Sequence, residues 1–190
     1  SGVTYDMWRN DISRDNPSQP SGVFDIYAAN FYVMNSDYRV YACLFNNANP
    51  ENNYQGGPSL DEPTFTDLEP RAAGSSGDGY IWKYLFTISP SDINKFDSTE
   101  YITVPNAWQT STDSQIRAVR ESADSSQNDN QIKTVYIENA GANYSNGLGQ
   151  ELNIIGDGTG GRVRVDVEGG KITNTVVTTG GKGYSYALVD

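Results

Sequence analysis

The chain has 190 residues, with 13 Lys and Arg against 24 Asp and Glu, a formal net charge of −11, and no histidine. So acidic a surface repels phosphate backbones and anionic lipid headgroups, which disfavours nucleic-acid and membrane-surface binding, and no apolar run approaches the roughly 20 residues that cross a bilayer. Without histidine there is no Ser-His or Cys-His pair and the commonest zinc ligand is missing, so catalysis would fall to carboxylates, Tyr and Lys.

A content of 19 Gly and 13 Tyr, with only 19% charged residues, fits β-structure with many turns. The length holds one ordinary domain or two small ones. Residues 4–13 are expected to form a short helix, with Thr4 as N-cap and Asp6 in the first turn. Met7, Trp8 and Ile12 would then make a narrow apolar stripe, with Trp8 an anchor onto the core or onto a neighbour. Residues 15–22, with two prolines, read as loop. Strands are expected at 24–27, 31–34 and 38–45, the last two joined through Asn35-Ser36-Asp37 as a hairpin. Cys43 is the single cysteine, so no intrachain disulfide forms, and its place in an apolar strand makes it a small core residue.

Residues 46–76 carry Pro50, Pro58, Pro63 and Pro70 and little periodicity. Irregular chain of that length inside a compact domain is uncommon and points to function or to an interface. Asp61, Glu62, Asp67 and Glu69 give the segment an acidic cast. A metal or glycosidic site needs its carboxyls at set separations in a cleft, and this spacing matches no calcium loop. A docking arm for a neighbouring subunit is the expectation, with Tyr54 a candidate contact residue.

The densest aromatic run follows the turn signal Asp78-Gly79. Tyr80, Trp82, Tyr84 and Phe86 fall on one face of an extended strand, and Ile81, Lys83, Leu85 and Thr87 on the other. Two largely apolar faces predict a central strand covered on both sides. Pro90 starts a helical turn running to Phe96, residues 101–104 read as a strand closed by Pro105, and residues 112–122 as a helix. That helix puts Ile116, Val119 and Ala123 on one side and leaves Arg117 and Arg120 exposed.

Residues 123–131 are a polar linker, which divides the chain into a β domain over 1–122 and a small Gly-rich β-module over 132–190. The module holds an internal repeat. Residues 132–145 align with 172–185 at a spacing of 40, each a β-branched run ending in a Gly-rich turn and Tyr-Ser. Between the copies, 152–155 and the alternation of Val163, Val165 and Val167 read as strands, and Glu168-Gly169-Gly170-Lys171 as a hairpin turn. The glycine turns miss both the calcium nonapeptide, which wants Asp where Ser185 stands, and the P-loop, which ends in Lys-Ser/Thr. Two copies cannot close a propeller, so the glycines are read as serving tight turns. Tyr144 and Tyr184, at equivalent repeat positions, are candidates for stacking on a ligand or lining an interface. A chain that begins with Ser and stops five residues after Ser185 is expected to be a fragment, or to close its last strand onto the first copy or a partner.

Several islands carry a family resemblance: Gly2-Val3-Thr4 with Asp6-Met7-Trp8, then Gly77-Asp78-Gly79-Tyr80 with Trp82 and Tyr84-Leu85-Phe86, then Glu100-Tyr101-Ile102 with Val104-Pro105. Over about the first 110 residues the chain resembles the baseplate wedge proteins of T-even-like contractile-tailed bacteriophages, and the Gly/Tyr repeat is distantly similar to phage tail structural modules. The resemblance implies a late structural virion protein of the tail baseplate, assembled in the host cytoplasm, homodimeric and in contact with other baseplate proteins. The absent histidine and the lack of any paired-carboxylate spacing predict no enzyme activity, and no cofactor or metal is expected. The competing expectation is a tail module that binds or cleaves carbohydrate, with Tyr144 and Tyr184 stacking on sugar rings. Burial of those two rings decides between them.

Overall fold

The computed structural model describes residues 2–8, 29–48, 55–96, 98–124 and 130–189, the side chains of 122–124 excepted. The chain is mainly β, with antiparallel sheets and two short helices among the described residues. It divides into two compact units, Ser1–Asn47 with Gly56–Glu121, and Ala48–Gln55 with Ser122–Asp190. The predicted loop at 15–22, the strand at 24–27, Tyr54 and most of the 123–131 linker lie outside the described residues.

The first unit is built on a three-stranded sheet in the order β1 (Tyr32–Met34), β2 (Arg39–Asn46), β3 (Tyr80–Thr87). β1 and β2 form the expected hairpin, with Met34 opposite Val40. Asn35 closes its turn, because its side-chain oxygen accepts from the amides of Asp37 and Arg39 at 3.0 and 2.9 Å. Alternation works on β3 as read: Tyr80, Trp82, Tyr84 and Phe86 are buried, while Ile81, Lys83 and Leu85 are only half-buried. Tyr80 and Trp82 stack with ring centroids 5.3 Å apart, and Tyr41 meets Tyr84 edge-on at 5.7 Å.

The central position, however, belongs to β2. Among the described residues β3 lies at the edge of the sheet, its outer side met by one bridge in which Arg71 and Trp82 exchange backbone hydrogen bonds of 3.0 and 3.1 Å. Two apolar faces distinguish a covered strand from an exposed one; they do not say how many strands flank it.

Three further expectations are corrected. Residues 4–8 are not helical: the Asp6 amide donates to Asn30 O and the Trp8 amide to Cys43 O, while Val3 bridges Ser59. Tertiary pairing with a ready sheet supplies those amides with partners, which outweighs a marginal N-cap on a helix this short. Residues 101–104 form no ladder; Ile102 packs into the Val40–Phe86–Ile88 cluster while Tyr101 and Val104 point outward. Arg120 is not a free surface residue, because its guanidinium donates to the carbonyls of Trp108 and Ser111 at 2.7 and 3.2 Å.

The helices sit where the sequence puts them. α1 (Pro90–Phe96) begins at its proline, and Ser89 Oγ accepts from the Asp92 amide. α2 (Ser114–Asp124) is capped by Asp113, whose Oδ1 accepts from the amides of Gln115 and Ile116 at 2.9 and 3.0 Å. Val119 is buried against the aromatic core.

The second unit has a sheet ordered β4 (Gly147–Asn153), β6 (Thr159–Glu168), β7 (Lys171–Lys182), and a small pair formed by β5 (Ile155–Gly156) and β8 (Ala187–Leu188). Val163, Val165 and Val167 of β6 are buried, and the first two pack with Ile154 and Tyr184. Gly169 and Gly170 make the β6–β7 turn at φ +58° and +74°, which side chains resist. The last strand closes onto the chain that follows the first repeat copy, Leu188 opposite Ile155.

The repeat has a geometric meaning. Its two copies run antiparallel beside each other, and their hydrogen bonds come in equivalent pairs. Ile132 N donates to Gly180 O and Ile172 N to Ala140 O, each at 2.9 Å; a shift of 40 residues turns one bond into the other. Tyr144 N donates to Gly170 O at 3.1 Å and Tyr184 N to Asn130 O at 3.2 Å, again an equivalent pair. Gly141 and Gly181 take φ +67° and +62°, and Asn143 and Gly183 take +63° and +74°. The copies are therefore related by a local twofold axis.

Candidate functional site

The acidic loop residues can be followed one at a time. Asp61 Oδ2 accepts from the Ser76 amide at 2.8 Å, and Glu62 Oε1 accepts from both the amide and the hydroxyl of Ser36. The Ser76 hydroxyl and amide, and the Ser36 amide and hydroxyl, favour the charged forms and hold both carboxyls below their ordinary range. Asp67 pairs with Arg71 at 3.0 Å. Asp78, buried at the turn before β3, accepts from Leu60 N at 2.8 Å and from Tyr80 N at 3.0 Å. Asp61, Glu62 and Asp78 thus tie turns and loops together, their oxygens replacing water for backbone amides, while Asp67 is held by a guanidinium. No group of three or more His, Cys, Asp or Glu side chains able to hold a metal ion occurs among the described residues.

The buried tyrosine hydroxyls of the first unit are likewise committed to structure. Tyr80 OH donates to Gly57 O at 2.6 Å and accepts from the Tyr5 amide at 3.0 Å, while burial pushes its hydroxyl up to about 12. Tyr41 donates to Phe65 O at 2.7 Å and is also raised to about 12 by burial, with the nearby Arg39 pulling the other way. Cys43 is fully buried, and desolvation pushes its thiol up, away from the thiolate that reactivity needs.

The candidate contact residues separate. Trp8 is 43% exposed. Tyr54 lies outside the described residues. Tyr144 is 49% exposed, whereas Tyr184 is 6% exposed, and its hydroxyl accepts from Gly161 N at 3.0 Å and donates to Ile154 O at 3.4 Å. Tyr184 is thus a core residue of the second unit and offers no ring face to a sugar, which corrects its assignment as a stacking residue. The paired-ring argument for carbohydrate loses one of its two members.

Sequence reasoning passed over a different exposed set. Phe96, Tyr101 and Val104 follow one another over nine residues, Tyr101 at 76% and Val104 at 70% exposure. The signal at Tyr101 and Val104 was a β-branched and aromatic stretch over 101–104 bounded by Pro105, which reads as a strand. Exposed large apolar side chains gathered on one short segment mark an interaction surface more often than a solvated loop.

A family profile described as Bacteriophage T4, Gp8 matches residues 38–144, more than half of the chain. The chain belongs to this baseplate wedge family. The Gp8 match takes in β2, β3, both helices and the first repeat copy as far as Tyr144. It leaves out the islands around Gly2 and Trp8, and it runs beyond the first 110 residues over which the resemblance was read. Comparisons with curated proteins and with solved structures give no match. Membership of the Gp8 family makes the chain a structural protein of the phage tail baseplate, located in the virion and interacting with other baseplate proteins.

Proposed function

We propose that the chain is a wedge subunit that works by holding its neighbours in place, as a homodimer and without catalysis, made late in infection and assembled in the host cytoplasm. The observation that carries this reading is the exposed Phe96–Tyr101–Val104 run inside the family-matched region, set against acidic groups that are each bonded to nearby loop or side-chain partners. Aromatic and aliphatic anchors of this kind supply contact area when a partner desolvates them. The irregular segment 55–76 adds a second docking region next to it in function: its carboxylate bonds fix its path, and a fixed path lowers the ordering cost of binding. The division into a β domain over 1–122 and a Gly-rich module over 132–190 belongs to the same proposal, with the linker between them.

The test is hydrogen exchange over residues 96–105 and 55–76, measured on the isolated chain and on assembled particles. Protection gained on assembly in both segments is the expected result. Equally fast exchange in both states would leave these segments as solvated loops and remove the holding role. Sedimentation of the isolated chain tests the dimer separately. Turnover of envelope polysaccharide or peptidoglycan, abolished by replacing one Asp or Glu, would overturn the non-catalytic reading.

A further inference from the structure

The two repeat copies share paired backbone hydrogen bonds and positive φ at matching positions, and they are unequal in what covers them. At the second copy, the turn between β5 and β6 lies on the Tyr184 ring. A Cβ added at Gly158 would sit 2.5 Å from Tyr184 Cγ, and one at Gly161 2.8 Å from its hydroxyl oxygen. Only glycine backbone approaches a ring that closely. The same turn contributes Asp157, whose carboxylate accepts from Ser185 N at 2.9 Å, from Tyr186 N at 3.2 Å and from Ser185 Oγ. The Ser185 bonds come first in holding Asp157 down to about 2, which marks a well-matched receptor for a carboxylate.

Each of those receptor groups has a counterpart at the first copy, 40 residues earlier. Tyr144 replaces Tyr184, and Ser145 N, Ser145 Oγ and Asn146 N replace the three donors. Among the described residues none of these three donors, nor the Tyr144 hydroxyl, has a hydrogen-bond partner, and Tyr144 to Asn146 are exposed. The Asn146 side chain is already committed, its Oδ1 accepting from Gly170 N at 2.9 Å, so the corner is held in place without a visitor. The Tyr144 ring lies over Gly141, as Tyr184 lies over Gly181.

We infer that the Tyr144-Ser145-Asn146 corner is a docking site for a Gly-Asp-Gly turn presented by another baseplate subunit. The visitor's chemistry is set by the occupied copy: glycine backbone against the ring, and one carboxylate on two amides and a hydroxyl. A second copy of this chain is a poorer visitor, because both of its Gly-Asp-Gly turns are committed: one is seated on its own Tyr184, and Asp78 of the other is buried and bonded to Leu60 N and Tyr80 N. The inference rests on the chain being assembled in the baseplate.

Nitration by tetranitromethane, read by mass spectrometry, tests it on the full chain and on assembled particles. Tyr144 is expected to react in the isolated chain and at least about tenfold more slowly in particles. Tyr184 is expected to be unreactive in both. Ser145→Ala, at an exposed position, is expected to lose the protection of Tyr144 in particles while leaving Tyr184 unreactive. Equal Tyr144 rates in chain and particle overturn the docking site and leave the baseplate role standing. Protection that survives Ser145→Ala overturns the carboxylate-bearing visitor. Particles that lack the chain altogether overturn the baseplate reading itself.

Discussion

The two units reach a core by different means. In the first, large rings do the filling: Trp82, Tyr41, Tyr80 and Tyr84 are its biggest fully buried side chains, and each tyrosine hydroxyl is bonded. In the second, two valines, one isoleucine and one tyrosine suffice, because glycines let backbone pack where side chains would otherwise stand. An aromatic core tolerates irregular surrounding chain, since a few rings bury much area wherever the loops run. A glycine-packed core depends instead on backbone position, and a single methyl group is enough to disturb it.

Truncation gives the largest expected contrast. Trp82→Ala is expected to cost about 3–5 kcal/mol and Val163→Ala about 2 kcal/mol. Amide exchange in β2 and β3 reads the first and exchange in β6 and β7 the second; equal losses would erase the distinction between the cores. The next effect tests dependence on backbone. Gly141→Ala and Gly181→Ala both force a side chain into positive φ, at about 1–2 kcal/mol. At Gly181 the new Cβ would also lie 2.4 Å from Thr159 O and 2.5 Å from Gly161 N, while at Gly141 its three nearest atoms all belong to the half-exposed Tyr144 ring. Gly181→Ala is therefore expected to be clearly the more damaging, by denaturant unfolding. Equal values would mean that the second copy is not sealed by its turn.

The same asymmetry is sharpened by removing one oxygen. Tyr184→Phe leaves the Gly161 amide without its bond and is expected to cost about 1–3 kcal/mol. Tyr144→Phe is expected to stay within about 0.5 kcal/mol in the isolated chain. The smallest effect is a pH response. Asp157 is held down to about 2, so its bonds contribute fully above the ordinary Asp value of about 3.9 and are lost as pH falls through the folded value. The Ser185 and Tyr186 amide resonances should therefore move near pH 2. Movement centred near pH 4 would show that the carboxylate is not held, and Asp157→Asn should abolish the response in either case.

Local features of the sequence determined a good deal. Alternation placed the buried face of β3 and the inward valines of β6, because pleating sends successive side chains to opposite sides. Pro90 and the Gly169-Gly170 pair fixed a helix start and a hairpin turn through their own allowed φ values. The 40-residue repeat was visible as letters, and the islands around Tyr80 and Tyr101 carried the family. Tertiary structure decided the rest. Whether β2 or β3 is central depends on which chain returns to pair: β1 takes the other side of β2, while among the described residues β3 gains only the Arg71 bridge. Residues 4–8 give up a local helix for bonds to Asn30 and Cys43, partners distant in sequence. Tyr144 and Tyr184 carry the same local motif, yet one is half-exposed and the other sealed. Burial depends on what else arrives at the site, and only the turn from Gly156 to Gly161 arrives at Tyr184.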